Sequence, residues 1–343
     1  MCKKITILPI SATLYPAFYQ LVQSSQWGNP MLPMDYQSSL WGSVVIGDKD
    51  NVLGGWVGTI KGNIPIAKII TKSVYFDAYP IFTTVEIMNL YQDTLIGSMK
   101  LRAKKEGITM FNLTHWGRDN TLYFDTKEKC ATYTTRLHRT EEALWKEVES
   151  KQRNCVRKGE KSGVECLVCK GVESLRYLAD FQRLRQRTQQ HAINKNAKAS
   201  MLLKSDTFFR DLFLNPNTTL FVGKIEEQVA TVALMLQSGA TVYYYSGGSD
   251  YELNKKYSCS AYILWKAICW FNEQGTDIFD MGGVPVLPTK NHPAYGVYAF
   301  KRSFGGEYRE FDAGKIVISA WRYQLLNWLL SQRKLLRFFS TRI

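Results

Sequence analysis

The chain has 343 residues, 45% hydrophobic and 13% aromatic, with no low-complexity tract, so it is expected to fold and has room for two cores. A net charge of +14 favours polyanionic partners: nucleic acid, phosphorylated substrates or an anionic membrane surface. No stretch is apolar and long enough to span a bilayer, Ser11 to Gln26 is too polar for a signal-peptide core, and seven scattered cysteines suggest no disulfide framework, so a cytoplasmic protein is expected.

In the N-terminal half a strand-like run, Ser73 to Tyr79, precedes a helix-like segment from about Val85 to Lys104. Its Met88, Tyr91, Leu95 and Met99 fall at helical spacing. Gly107 sits where helices stop, and a second strand, Ile108 to His115, follows. Thr140 can cap a helix that opens with Glu141 and Glu142. That helix is expected to continue through Trp145 and Val148 into the basic run Lys151, Arg153, Arg157, Lys158 and Lys161. The strand-like run Val164 to Lys170 turns Cys166 and Cys169 to opposite faces, which argues against a zinc or redox pair; no metal site is expected. A second helix, about Val172 to His191, carries Arg176, Arg183, Arg185 and Arg187.

Thr219 to Lys224 and Gln228 to Gln237 read as a hairpin closed by Ile225-Glu226-Glu227. Strand Thr241 to Tyr245 then leads through Ser246-Gly247-Gly248-Ser249 and a polar loop into a helix from about Ser258 to Gln274. Ala261, Leu264, Ile268 and Phe271 line its apolar face, Gly275 stops it, and strand Thr276 to Asp280 begins. Each half is thus strand, loop, helix, glycine, strand: one βαβ unit, repeated. The residues themselves give an α/β chain of two similar halves. From Trp321 to Phe339, Leu325, Trp328, Leu329, Leu335 and Leu336 alternate with Arg322, Arg333, Lys334 and Arg337. This is a basic amphipathic helix, suited to an anionic membrane surface or to docking on the protein body.

Gly247-Gly248 and Gly282-Gly283 are expected at strand carboxyl ends, where open α/β sheets bind ligands and glycine allows close backbone approach. Tight turns without a ligand are the alternative. Asp280 could orient or deprotonate an amine, or cap its turn.

Three segments carry a family resemblance. Arg153 to Val164, RNCVRKGEKSGV, is similar to R-x-x-I-R-K-A-x-K-x-G-V. Tyr262 to Ile268, Gly275 and Phe279 to Val284 follow L-x-W-x-A-I, G and Y-D-x-G-G; Phe300 to Glu307 follows F-K-x-x-F-G-G-E. In this order and spacing, over roughly residues 140–315, they resemble the FemABX peptidoglycan-bridge aminoacyltransferases of the GNAT superfamily.

The resemblance implies an α/β (α+β) fold of two GNAT-like domains, mixed sheets flanked by helices, without a coiled-coil arm. Residues 1–140 would form the acceptor-side domain, 141–315 the domain for donor binding and chemistry, and 316–343 the C-terminal helix. It implies an acyltransferase moving an aminoacyl group from aminoacyl-tRNA to an amine of a peptidoglycan precursor. Acyl-CoA-dependent N-acylation of a polysaccharide amino sugar, or a non-catalytic RNA- or membrane-binding scaffold, are the alternatives. No tightly bound cofactor is implied, only aminoacyl-tRNA or acyl-CoA as co-substrate.

By resemblance Lys301 would stabilise charge and contact phosphate; Asp280, read from its place at the strand end, is the second catalytic candidate. Donor contacts fall on Gly247, Gly248, Lys256, Ser258, Gly282 and Gly283. Lys255 to Ser260 occupies the place of the coenzyme A pyrophosphate loop, with serines where that loop has glycines. Arg153, Arg157 and Lys158 could contact a tRNA backbone or a nucleotide-linked precursor. The family's T-x-x-R-D-G-F has Thr188 to Ile193 in its place, with His191 but no arginine. A cytoplasmic location, peripheral at the inner membrane face through the C-terminal helix, completes the expectation.

Overall fold

The computed structural model describes residues 5–62, 68–113, 122–194 and 205–340. Strands β1 (Thr6–Pro9), β2 (Leu40–Ile46), β3 (Val52–Lys61), β4 (Ser73–Phe76), β5 (Ile81–Phe82) and β6 (Met110–Leu113) alternate with helices α1 (Tyr15–Ser24), α2 (Lys68–Thr71) and α3 (Val85–Lys105). Then come β7 (Thr126–Arg136), α4 (Glu141–Glu147), α5 (Ser150–Lys161), β8 (Glu165–Cys169), α6 (Leu178–Asn194) and α7 (Asp206–Leu214). The hairpin β9 (Thr218–Ile225) and β10 (Gln228–Ser238) leads to β11 (Thr241–Ser249), α8 (Tyr251–Tyr257), α9 (Cys259–Glu273) and β12 (Ile278–Asp280). Helix α10 (Tyr295–Arg302), β13 (Glu307–Val317) and α11 (Ala320–Ser340) close the chain.

Two compact units result: Met1–Lys129 with Phe311–Ile343, and Cys130–Glu310. The last segment of the chain therefore groups with the first. In the first unit the strand order is β1-β2-β3-β4-β6-β13, with β5 also on β3. Neighbours are antiparallel except β4 and β6, which α3 joins as a parallel crossover. Thr84 caps α3 by accepting from the Ile87 amide, and Leu95, Ile96, Met99 and Ala103 are buried on its inner side. In the core Trp56 stacks on Phe76 with ring centroids 3.8 Å apart.

The second unit repeats the plan in the order β7-β12-β11-β10-β9-β8. Its parallel pair is β11 and β12, joined through α9, whose Ala261, Leu264, Ile268 and Phe271 are all buried. The sequence repeat thus becomes a repeated βαβ unit.

Three local expectations are corrected. The helix capped by Thr140, which accepts from the Ala143 amide, stops at Val148 rather than running into the basic segment. Glu149 is extended there because its amide is tied to the Ser303 carbonyl at 2.8 Å, and α5 starts afresh. The segment from Gly171 to Tyr177 is a 3-10 turn before α6. The stretch after β11 is not a polar loop but α8, capped by Asp250 accepting from the Glu252 and Leu253 amides. His115 lies outside the described residues, as does the side chain of His191. Among the described residues no helix is long and apolar enough to cross a membrane.

Candidate active site

In the second unit β11 and β12 pair in parallel only from Thr241 and Ile278 to Tyr243 and Asp280. Beyond that point β11 continues with β10 to Ser249, while Met281 and Val284 donate backbone hydrogen bonds to Tyr133 and Ala131 on β7. The register of β10 against β11 slips between Leu234 and Met235, leaving Tyr245 as the extra residue of a β-bulge. The two parallel strands therefore part just where the topology puts a ligand in an open α/β sheet.

At the parting stands the turn Asp280 to Gly283. Gly282 has φ +70, and a Cβ there would lie 2.4 Å from the Tyr244 carbonyl oxygen, so only glycine fits. Asp280, 5% exposed, accepts from the Thr132 hydroxyl at 2.5 Å and from the Gly282 amide at 2.7 Å. Those bonds clasp the turn and explain a carboxylate in so covered a place. A Cβ on Gly283 would meet nothing within 4 Å, so its backbone borders open space.

Into this corner α10 sends Lys301. Its Nζ donates to the Gly283 carbonyl at 3.0 Å and sits 5.3 Å from the centroid of the Tyr244 ring. The residue keeps some surface exposure, yet its ammonium is desolvated, and that burial pushes Lys301 down to about 8. The charge of Asp280 acts the other way, helping to keep the ammonium charged. Burial likewise pushes the Tyr244 phenol up to about 12, so it stays a neutral donor. Three residues before Lys301 on α10, Tyr298 accepts a hydrogen bond of 3.0 Å from the Tyr133 hydroxyl. The phenol of Tyr133 is held well above its ordinary range, first by burial and then by Tyr298.

Lys301, Asp280, Gly282 and Gly283 thus come together. The other expected donor residues are placed differently. Gly247 and Gly248 do not lie past the end of a strand; both are inside β11, because pairing with β10 resumes after the bulge. A Cβ on Gly248 would lie 2.5 Å from the Leu184 carbonyl carbon of α6, so close packing of a helix explains this glycine. On Gly247 it would strike the Tyr244 hydroxyl. Lys256 is exposed and lies over the Tyr257 ring at 4.8 Å. Ser258 is a left-handed junction (φ 59) between α8 and α9. The α9 amino terminus that would face a pyrophosphate is filled from within: the Ser260 amide donates to the Asn254 side chain at 2.8 Å.

The basic segment also has internal partners. Arg153 donates to the Trp145 carbonyl at 3.3 Å and the Lys146 carbonyl at 3.4 Å, closing the end of α4. Arg157 lies over the Trp145 ring, and Lys158 reaches the Lys255 carbonyl; both remain exposed. Sequence reasoning missed Thr132, Tyr244 and Asn254. Tyr244 follows Val242 at strand spacing and could have been read onto one face with it. Thr132 and Asn254 carry no local signal.

Residues 217–329 match the model of the FemAB family. No curated protein matches the chain in sequence. Among solved structures, the crystal structure of FemX superposes with a TM-score of 0.67 and 15% identity, over 90% of this chain and 96% of that one. The structure of L-PGS from Bacillus licheniformis gives 0.51 and 12%, over 80% and 83%. A tandem GNAT protein from the clavulanic acid biosynthesis pathway gives 0.50 and 10%, over 92% and 99%. The fold expected from the motifs, a mixed α/β chain with tandem GNAT halves, is borne out. Residues 217–329 are thus similar to the FemAB family, and the whole chain shares its fold with FemX and with a tandem GNAT protein.

Proposed function

We propose that the chain transfers an aminoacyl group from aminoacyl-tRNA to an amine on a peptidoglycan precursor peptide, on the cytoplasmic side of the membrane. The observation that carries this reading is the Lys301 ammonium, held by Gly283 where β11 and β12 part, beside open space. The acceptor amine attacks the ester carbonyl of the donor; a C–N bond forms, the C–O bond to the tRNA ribose breaks, and the amine proton leaves with the product alcohol. No covalent enzyme intermediate is needed. A desolvated cation near the carbonyl stabilises the oxyanion that develops, which is worth far more there than in water. Asp280 holds the turn that holds Lys301, and its charge keeps the ammonium protonated.

Aminoacyl-tRNA is favoured over coenzyme A by the α9 amino terminus. Asn254 occupies the Ser260 amide that a pyrophosphate would need, and serines replace the glycines that would let it approach. Exposed Arg157 and Lys158 are available to a nucleic-acid backbone. The test supplies purified protein with a precursor peptide and, in turn, charged tRNA or an acyl-CoA, and follows acceptor mass. A mass increase with charged tRNA alone is expected. Acylation that needs the coenzyme A thioester and ignores charged tRNA overturns the donor assignment.

A further inference from the structure

The C-terminal helix α11 has a side the reaction does not use. Its inner side is fastened to the first unit. The half-buried Arg322 guanidinium packs over Gly107, where a Cβ would stand 3.1 Å from Nη1, and the Tyr323 ring receives the Lys315 ammonium at 5.5 Å. On the side away from Tyr323, and with the Arg322 guanidinium 5.2 Å from the Trp321 ring at its border, Trp321, Leu325, Trp328 and Leu329 recur at helical spacing and are 57%, 38%, 57% and 40% exposed. Two tryptophans and two leucines on one open stripe are costly to leave in water. A stripe meant only for the protein's own core would be turned inward.

Charge says what the stripe faces. From Ala320 to Ile343 the sequence carries Arg322, Arg333, Lys334, Arg337 and Arg342 and no acidic residue, in a chain already at +14. Tryptophan prefers the headgroup level of a bilayer, and a cluster of basic residues beside an apolar stripe draws a helix to anionic lipid. A second copy of the chain would bring the same positive charge against itself, which disfavours self-association through this stripe.

We propose that α11 is a membrane-surface helix, laying Trp321, Leu325, Trp328 and Leu329 into the interface of an anionic bilayer while Arg322 keeps it fastened to the protein. The inference does not depend on the identity of the donor or acceptor.

The full-length protein is mixed with vesicles of phosphatidylcholine, or of phosphatidylcholine with phosphatidylglycerol, and sedimented at low and high salt. Binding to the anionic vesicles, lost at high salt and accompanied by a blue shift of tryptophan emission, is the expected result. The triple variant R333Q/K334Q/R337Q should bind roughly a hundredfold more weakly, since each basic residue near the surface contributes about fivefold. The double variant W321S/W328S should lose the blue shift and weaken binding while keeping the circular dichroism and melting of the parent. Equal binding to both vesicle types, or none to either, overturns the proposal. So does a concentration-dependent dimer that the tryptophan variant abolishes in a protein that ignores vesicles.

Discussion

The ammonium of Lys301 is kept where its charge is disfavoured, and that sets how the site should answer to pH. Burial lowers it to about 8, so the protonated form dominates at neutral pH and is lost as pH rises through that value. A rate that needs the ammonium should fall across pH 8, in a single-turnover profile with a chemically stable acceptor; a neutral-lysine base would make the rate rise instead. Lys301→Met should reduce kcat/KM by roughly a hundredfold to a thousandfold, the size of an oxyanion donor lost. Lys301→Arg should keep part of the activity and remove the decline near pH 8, because a guanidinium does not titrate there. Asp280 raises the lysine's affinity for its proton. Asp280→Asn retains an acceptor for Thr132 and Gly282 but removes the charge. The alkaline limb of the same profile should then move to lower pH; an unmoved limb would leave Asp280 a purely structural clasp.

At the scale of elements, the repeated strand-helix-strand was legible because its signals are local. Apolar residues at helical spacing, Thr84 and Thr140 as caps, and Gly107 and Gly275 as stops all act within one or two turns of themselves. The site was legible in part. Lys301 and the Asp280 to Gly283 turn stand in recognisable motifs, but Thr132 is 148 residues from its partner Asp280, a pairing only the sheet creates. The break at Val148 was hidden for the same reason, since its cause is Ser303. Gly248 illustrates how one residue type serves different ends. Its strand meets the backbone of α6 without room for a methyl group, whereas Gly283 borders open space. Gly248→Ala should therefore destabilise the fold by about 2 kcal/mol or more, seen as a lower Tm, with KM for the donor little changed in the folded fraction. A raised KM at unchanged Tm would mean that this glycine meets the donor instead.

Over the whole molecule the excess of positive charge should be read out through salt. If tRNA is the donor, affinity should fall linearly on a log–log plot against salt concentration. Replacing the exposed Arg157 and Lys158 by glutamine should flatten that slope by about 1–2, without altering discrimination between tRNA sequences. Filter binding across a salt series checks it, and an unchanged slope would take α5 out of the nucleic-acid path.

The grouping of residues 311–343 with the first 129 has a consequence for how the protein comes into being. During synthesis the first unit is born early but lacks one of the two strands that flank β6, because Gly314 to Val317 of β13, which pair with Met110 to Leu113, emerge only after the whole second unit. The second unit is one unbroken stretch, Cys130–Glu310, and has all its strands while the ribosome is still working. The half made second is therefore in a position to fold first, and the half made first must wait with an open strand edge, a place for chaperones to engage.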